Sequence, residues 1–176
     1  MKNVIMTQPY FDKQTLKNAL LEALDAAIDA AMQAAREAQA TASHEGNKPE
    51  NKWDTLALEA AYLAHGQSER ILKLQEQRIA LGKWTVPDLD ADDMIRNGAC
   101  VTVGLEGIHR HLFIAPLGGY QLRIENSDAA AAGVADVVVV SHETPLARAL
   151  TGRCEGDEVT LTLGGKSASW EIIGVC

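Results

Sequence analysis

The sequence predicts an α+β protein in which an N-terminal antiparallel coiled-coil hairpin precedes a small antiparallel β domain with one short helix. Two changes of pattern predict it. Apolar residues follow a helical repeat through most of residues 13–81, with one interruption near residue 46. After residue 96 they recur at every second position, in short runs separated by turn sequences.

The first predicted helix begins near Lys13 and ends near His44, because no Gly or Pro interrupts this stretch. Its apolar residues are spaced alternately by four and three, as in a heptad repeat, and most are small enough to let another helix pack closely. This first seam consists of Leu20, Leu24, Ala27, Ala31, Ala34, Ala38 and Thr41. At 1.5 Å per residue the helix is roughly 45 Å long, more than a compact domain of this size needs.

The second predicted helix extends from Trp53 to about Leu81 and carries a matching apolar repeat. This second seam consists of Leu56, Ala60, Leu63, Gln67, Ile71, Leu74 and Leu81. Gly46 and Pro49 lie in the short polar link between the helices. Two helices joined by such a link most simply fold back on each other, so we expect an antiparallel hairpin with its tip near residues 45–53.

The C-terminal half has the pattern of five or more short strands. Gly-containing turn sequences at 117–119, 155–157 and 164–166 separate the apolar runs. One short helix interrupts the strands, with Thr144 as its N-cap, Pro145 at its first position and Gly152 after its end. We therefore expect a hairpin domain over residues 1–83, a linker over 84–95 and a β domain over 96–176.

Composition excludes several functions. With 47% hydrophobic and 23% charged residues among 176, the chain is typical of a globular protein. Residues 84–176 contain 6 Lys and Arg against 13 Asp and Glu, which argues against free nucleic acid as the main partner. No apolar run reaches the roughly 20 residues that a membrane span needs, and no secretory signal is evident. We expect a cytoplasmic protein that does not bind membranes.

The sequence gives little indication of a metal site or of a reactive thiol. Cys100, Cys154 and Cys176 are odd in number and widely spaced, which favours small core residues over a disulfide framework or a zinc site. His109 and His111 point to one face of a predicted strand, but no third ligand follows at a suitable spacing. We expect no stably bound metal and no cofactor.

The segment over residues 137–175 carries a specific motif. Its members are Ser141, Pro145-Leu146-Ala147-Arg148, Leu150, Gly152-Arg153, Gly156-Asp157-Glu158-Val159, Gly164-Gly165 and Trp170-Glu171-Ile172. In this motif the segment resembles the C-terminal domain of the GreA/GreB family of bacterial transcription elongation factors. The sequence Leu58-Glu-Ala-Ala-Tyr62 is also similar to a stretch of that family's second helix.

The resemblance implies a function. In the family, an FKBP-like β domain docks on the rim of the RNA polymerase secondary channel, and the hairpin reaches through the channel to the active site. Acidic tip residues there help to hold a second Mg²⁺, so that the polymerase hydrolyses its own backtracked RNA. The resemblance thus implies an RNA polymerase partner, nascent RNA and DNA met only within that complex, and no catalysis by this chain itself. The implied docking residues are Ser141, Pro145, Leu146, Arg148 and Leu150.

The hairpin tip departs from the family pattern. The family has two acidic residues three positions apart ahead of its Tyr; aligned on Tyr62, these positions fall on Thr55 and Leu58. The acids that remain near the tip are Glu45, Glu50, Asp54 and Glu59. Two interpretations stay open: these carboxylates assist the Mg²⁺ of the polymerase, or they serve only as N-cap, helix-dipole and surface residues.

Other functions stay open as well. Without cleavage activity, a protein of this kind would occupy the channel as an inhibitor or modulator. Alternatively, the hairpin is a coiled-coil binding or scaffold module that pairs with another helical protein or with itself. Arg148 has two corresponding interpretations, a contact with the polymerase or a solvated residue near Glu143.

Overall fold

The computed structural model describes residues 11–42, 56–90, 92–105, 107–125, 133–163 and 166–176. In chain order the elements are α1 (Lys13–Ala42), α2 (Leu56–Lys83), β1 (Cys100–Leu105), β2 (Ile108–Ala115), β3 (Tyr120–Glu125), β4 (Val134–Ser141), α3 (Pro145–Leu150), β5 (Glu158–Leu163) and β6 (Lys166–Val175). The predicted fold class is confirmed: two long helices precede a small sheet with one short helix. Within the described residues, no helix is long and apolar enough to cross a membrane.

The chain forms two compact units. The helical unit is Leu21–Lys83, and the β unit combines Met1–Leu20 with Trp84–Cys176. The sequence predicts a hairpin domain over residues 1–83, whereas the described residues 11–20 group with the strands. The domain limits as such stay a prediction.

The helical unit is an antiparallel pair of helices. Arg78, near the end of α2, pairs with Asp25, in the first half of α1, through bonds of 2.7 and 3.0 Å. If the helices were parallel, Ala42 and Leu56 would lie about 58 Å apart at 1.5 Å per residue. The residues between them span at most about 50 Å when fully extended, so only the antiparallel arrangement closes.

Most described seam positions are buried or half-buried, as the periodicity predicts. Two are shifted by one residue. Ala34 is exposed and Ala35 takes its place, while Leu63 is 63% exposed and Ala64 is half-buried instead. A straight helix turns 3.6 residues per turn, so a strict heptad assignment drifts off the contact line over several turns. The side chains of Leu56, Ala60 and Thr41 lie outside the described set.

The six strands form one sheet in the order β3-β4-β2-β1-β6-β5. Four of the five pairings are antiparallel, as expected, but β2 and β4 are parallel. The chain leaves β2, passes over the end of β4 and enters β3 on the outer edge. β4 then fills the space between β2 and β3. The predicted sheet is antiparallel, and the insertion of β4 between β2 and β3 is what creates the parallel pair.

Gly118 permits the crossing over β4. A Cβ at this position would lie 2.3 Å from the backbone nitrogen of Ser141, so a side chain would collide with the last residue of β4. Gly119 follows with φ +91°, in the left-handed region that favours glycine, and its N–H donates to the Val139 carbonyl at 3.0 Å. The glycine pair thus has a packing role and a conformational role.

Both faces of the sheet are covered. On one face, α3 packs over a core that includes Val101, Val103, Ile114 and Ile172. On the other face, the ring centroids of Phe11 and His111 lie 5.1 Å apart, and those of Trp84 and Phe113 lie 6.0 Å apart.

The first turns of α1 belong to this second cover. Leu16 and Leu20 are completely buried, and the Lys17 ammonium donates to the Trp84 carbonyl at 2.6 Å. Asp12 caps α1: its carboxylate accepts from the Thr15 hydroxyl at 2.5 Å and from the Thr15 N–H at 2.9 Å, and these two bonds lower the pKa of the carboxyl. This packing explains why residues 11–20 group with the strands.

Candidate functional site

The candidate docking segment begins with the turn between β4 and α3. Ser141 ends β4, and its carbonyl accepts from both the N–H (3.0 Å) and the hydroxyl (2.8 Å) of Thr144. Its own hydroxyl accepts from the Glu143 N–H at 3.3 Å. Ser141 therefore shapes this turn, whatever else it contacts.

The start of α3 is as predicted. Thr144 has the extended backbone of an N-cap, and its hydroxyl accepts from the Ala147 N–H at 3.3 Å. Pro145 occupies the first helical position, where its missing N–H has no cost. The cap and the proline fix the direction in which α3 leaves the sheet.

The faces of α3 divide the predicted docking residues. Ala147 and Leu150 are completely buried in the core, and Leu146 is half-buried against it. Pro145 and Arg148 are exposed. The expectation that Leu150 contacts a partner is therefore wrong, since its side chain is fully enclosed within the fold.

The end of α3 is tied to the segment before β1. The Gly152 N–H donates to the Ile95 carbonyl at 2.8 Å, and the Ile95 N–H donates to the Arg153 carbonyl at 2.9 Å. Gly152 has φ +79°, which the reversal after the helix requires. These bonds hold the exposed face of α3 in place.

The Gly-Asp part of the motif is structural. Asp157 accepts from the Cys154 N–H at 3.0 Å through its carboxylate, and its N–H donates to the Cys154 carbonyl at 3.2 Å. The Gly156 N–H donates to the Ile172 carbonyl, and the Ile172 N–H donates to the Asp157 carbonyl. This turn sets the start of β5 against β6. Much of the motif therefore specifies the fold, and its exposed members are few.

Arg148 is the exposed cation of α3. Among the described residues its guanidinium has no hydrogen-bond or ion-pair partner, and Glu143, five positions earlier in the chain, is also exposed. Its half of the sequence is strongly acidic, with 13 Asp and Glu against 6 Lys and Arg over residues 84–176. An exposed guanidinium of this kind is suited to a carboxylate of a partner.

The predicted tip acids are not brought together by any described contact. Glu45, Glu50 and Asp54 lie outside the described residues. Glu59 lies near the start of α2, and its side chain is outside the described set. Their role at a metal stays a prediction.

The two histidines of β2 differ in their burial. His109 is exposed, whereas His111 Nδ1 lies 3.1 Å from the Thr102 hydroxyl, and burial followed by the nearby His109 charge lowers the pKa of His111. Within the part of the chain that the structure describes, no group of three metal-ligating side chains is found.

The sequence of the β unit matches a known family model. Residues 120–176 match the model described as "Transcription elongation factor, GreA/GreB, C-term". The resemblance to the GreA/GreB family is confirmed. The match covers β3 to β6 and includes the whole docking segment. No curated protein sequence gives a significant match to the chain.

Solved structures of GreA/GreB-like proteins also match the chain, at low identity and low TM-score. The GreA factor homolog 1 (Gfh1) of Thermus thermophilus is 16% identical, over 89% of this chain and 94% of that one, with a TM-score of 0.34. Gfh1 of Thermus aquaticus is 14% identical, over 88% and 92%, with a TM-score of 0.36. The GreA/GreB factor of Nitrosomonas europaea is 18% identical, over 65% and 88%, with a TM-score of 0.32.

Proposed function

We propose that this protein is a GreA/GreB-like transcription elongation factor that binds bacterial RNA polymerase. The observation that carries the proposal is the family match over residues 120–176, which contain the capped α3 segment. In the proposed complex, the β unit docks on the rim of the secondary channel and the hairpin enters the channel. Nascent RNA and DNA are met only inside that complex.

The docking step uses the exposed side of α3. Pro145 and Arg148 present a rigid apolar ring and a guanidinium, while the buried Ala147 and Leu150 hold the helix on the sheet. Arg148 pairs with a carboxylate of the polymerase, and Leu146 adds its accessible apolar surface. The acidic remainder of the β unit keeps other acidic proteins away.

The insertion step uses the length of the hairpin. α2 has 28 residues, which corresponds to about 42 Å at 1.5 Å per residue. Its seam against α1 and the Arg78–Asp25 pair make the two helices one stiff element. Such an element delivers its tip to a site that a globular domain cannot enter.

At the polymerase centre the proposed role is electrostatic. The carboxylates of Glu45, Glu50, Asp54 and Glu59 supply oxygen ligands to a weakly held Mg²⁺ that belongs to the polymerase. The protein itself is then neither an enzyme nor a metalloprotein. The polymerase cleaves its own backtracked RNA.

A binding measurement tests the docking step. Labelled protein is titrated with RNA polymerase, and Arg148→Ala is compared with Arg123→Ala. Arg123 is also exposed but pairs with Asp136 near the other end of β4, at 3.3 Å. We expect Arg148→Ala to weaken binding by at least about tenfold and Arg123→Ala to leave it unchanged. Failure of the unaltered protein to bind polymerase would contradict the proposed function as a whole.

A cleavage measurement tests the tip. Backtracked polymerase complexes are incubated with Mg²⁺ and each of the variants Glu45→Ala, Glu50→Ala, Asp54→Ala and Glu59→Ala. Glu76→Ala is the control, because Glu76 is exposed on α2 far from the predicted tip. Faster cleavage with the unaltered protein, lost in a tip variant but kept in the control, supports metal assistance and identifies the residue.

The second candidate is a channel-occupying inhibitor or modulator. It is favoured by Thr55 and Leu58, which replace the two acids of the family tip. In this case the protein binds polymerase and competes with a cleavage-stimulating factor, but does not itself accelerate cleavage. The same two assays separate the candidates.

A scaffold role is the remaining alternative. It is favoured by large exposed apolar side chains on α2, among them Tyr62, Leu72 and Ile79. Size-exclusion chromatography with light scattering tests it. A stable dimer that dissociates on Leu72→Ser would support self-association through the hairpin, and a monomer would exclude it.

A further inference from the structure

Two cysteines lie opposite each other at the ends of neighbouring strands. Cys100 begins β1 and Cys176 follows β6. The Cys100 N–H donates to the Cys176 carbonyl at 2.7 Å, and the Cys176 N–H donates to the Cys100 carbonyl at 2.8 Å. Residues that exchange both bonds in an antiparallel pair have Cα atoms about 5.5 Å apart and side chains on the same face. That separation lies within the range of disulfide-bonded cysteines.

The surroundings of the two thiols make them chemically unequal. Cys100 is completely buried, whereas Cys176 is only partly buried. A hydrogen bond from the Cys100 thiol, a hydrogen bond from the Phe11 N–H and the nearby Lys13 charge together lower the pKa of Cys176 to about 7. The bond to Cys176 and its own burial raise the pKa of Cys100 well above its ordinary value.

This arrangement matches the requirements of a two-cysteine oxidation site. The attacking sulfur needs to be a thiolate near neutral pH and to be accessible to a small oxidant. The second thiol needs to lie within bonding distance without a backbone movement. Cys176 meets the first requirement, and Cys100 meets the second.

We propose that Cys176 and Cys100 form a reversible oxidation site, in which a hydroperoxide oxidises Cys176 and Cys100 then closes a cross-strand disulfide. The site is independent of the proposed polymerase binding. It lies on the face of the sheet that Phe11 covers, whereas α3 covers the opposite face.

The chemistry balances in two steps. The Cys176 thiolate attacks one oxygen of the hydroperoxide, so that the O–O bond breaks, an S–O bond forms, and hydroxide or alkoxide leaves. Sulfur is oxidised by two electrons and the peroxide is reduced. The Cys100 sulfur then attacks the sulfenic sulfur; the S–S bond forms, the S–O bond breaks, and the Cys100 proton leaves with the hydroxide as water. A dithiol reductant then exchanges with the disulfide, which returns both cysteines to thiols while the reductant itself becomes a disulfide.

Oxidation removes the charge at Cys176. The thiolate accepts a hydrogen bond from the Phe11 N–H and attracts the positive charge of Lys13. It therefore helps to hold the start of α1 on the sheet. A disulfide sulfur is a weak acceptor without charge. We therefore expect oxidation to loosen residues 11–13, which hydrogen exchange at the Phe11 amide measures.

The test begins with the full chain, reduced and then treated with hydrogen peroxide at pH 7. Remaining thiols are alkylated, and peptides are mapped by mass spectrometry without reduction. We expect a peptide pair joined through Cys100 and Cys176 within one chain, with Cys154 still alkylated. Cys154 is the internal control, because it is half-buried and, within the described residues, lies beside no other thiol.

Variants separate the two roles. In Cys100→Ala the Cys176 sulfenic acid has no thiol to react with, so we expect it to accumulate and to be trapped by dimedone. Cys176→Ala should give neither adduct nor disulfide, and Cys154→Ala should behave as the unaltered chain. The proposal is overturned if the peroxide-treated chain keeps both thiols, if Cys154 oxidises first, or if the disulfide joins two chains. The map of the unaltered chain decides the matter even if Cys100→Ala fails to fold.

Discussion

The helical unit and the β unit are stabilised in different ways. In the β unit a sheet is covered on both faces, and large side chains such as Phe113, Ile114 and Leu150 are completely enclosed. In the helical unit, Leu24 and Leu81 are buried, but much of the seam is alanine and only half-buried. The hairpin therefore obtains its stiffness from helix continuity more than from buried area, and the β unit is the more stable platform.

The largest effect is expected at the centre of the β unit. Phe113→Ala removes a completely buried ring that contacts Trp84, and we expect a loss of about 3–5 kcal/mol in the free energy of unfolding. Urea denaturation followed by Trp fluorescence measures it. A loss below about 1 kcal/mol would contradict the view that this face is a packed core.

The matching change in the helical unit is Leu81→Ala. Its side chain is also completely buried. We expect the free energy of unfolding to fall by about 2 kcal/mol, near the lower end of the range for such changes, because the half-buried seam neighbours can close the cavity. The same denaturation assay applies, followed by far-UV circular dichroism. A loss equal to that of Phe113→Ala would remove the contrast between the units.

A matched pair of substitutions tests the corrected seam. Ala35→Asp places a charge at a half-buried position, whereas Ala34→Asp places it at an exposed one. Both changes carry the same helix-propensity cost, so their difference isolates burial, and we expect Ala35→Asp to be less stable by about 1 kcal/mol or more. If Ala34→Asp instead unfolds at the lower temperature, the original heptad assignment, with Ala34 in the seam, is correct.

The N-cap of α3 offers a smaller effect. Thr144→Ala removes the hydroxyl that accepts from the Ala147 N–H, and we expect the free energy of unfolding to fall by about 1 kcal/mol. Thr144→Ser, which keeps the hydroxyl, is the control. If α3 presents Arg148 to the polymerase, the alanine variant should also bind it more weakly than the serine variant does.

The smallest effect is expected at the ion pair of the hairpin. The hydrogen bond from Arg78 lowers the pKa of Asp25, so the pair stabilises the folded state above the unfolded pKa of about 4, and this contribution is lost as pH falls through the lower folded value. Both side chains are nearly half exposed, so the effect is small. Comparison of Arg78→Ala with Arg70→Ala in urea at pH 7 and pH 2 should show a difference only at pH 7.

Much of the architecture was evident from the amino-acid sequence. The apolar repeats of three and four predicted both helices, since a helix that buries one stripe needs that spacing. Thr144, Pro145 and Gly152 predicted the short helix and its ends, because capping and left-handed glycine are local requirements. The motif over residues 137–175 indicated the resemblance to the GreA/GreB family for a related reason: many of its members fix local turns and packing.

Tertiary structure alone decided the remaining features. Whether α3 turns Leu150 inward or outward depends on the sheet beneath it, and a motif does not show which of its residues are enclosed. The parallel β2–β4 pairing depends on a strand inserted from elsewhere in the chain, and the attachment of residues 11–20 to the β unit depends on contacts with distant strands. Cys100 and Cys176 are 76 positions apart in sequence, and only the register of the first and last strands places them opposite each other. Local patterns specify local structure, whereas long-range pairing depends on the whole fold.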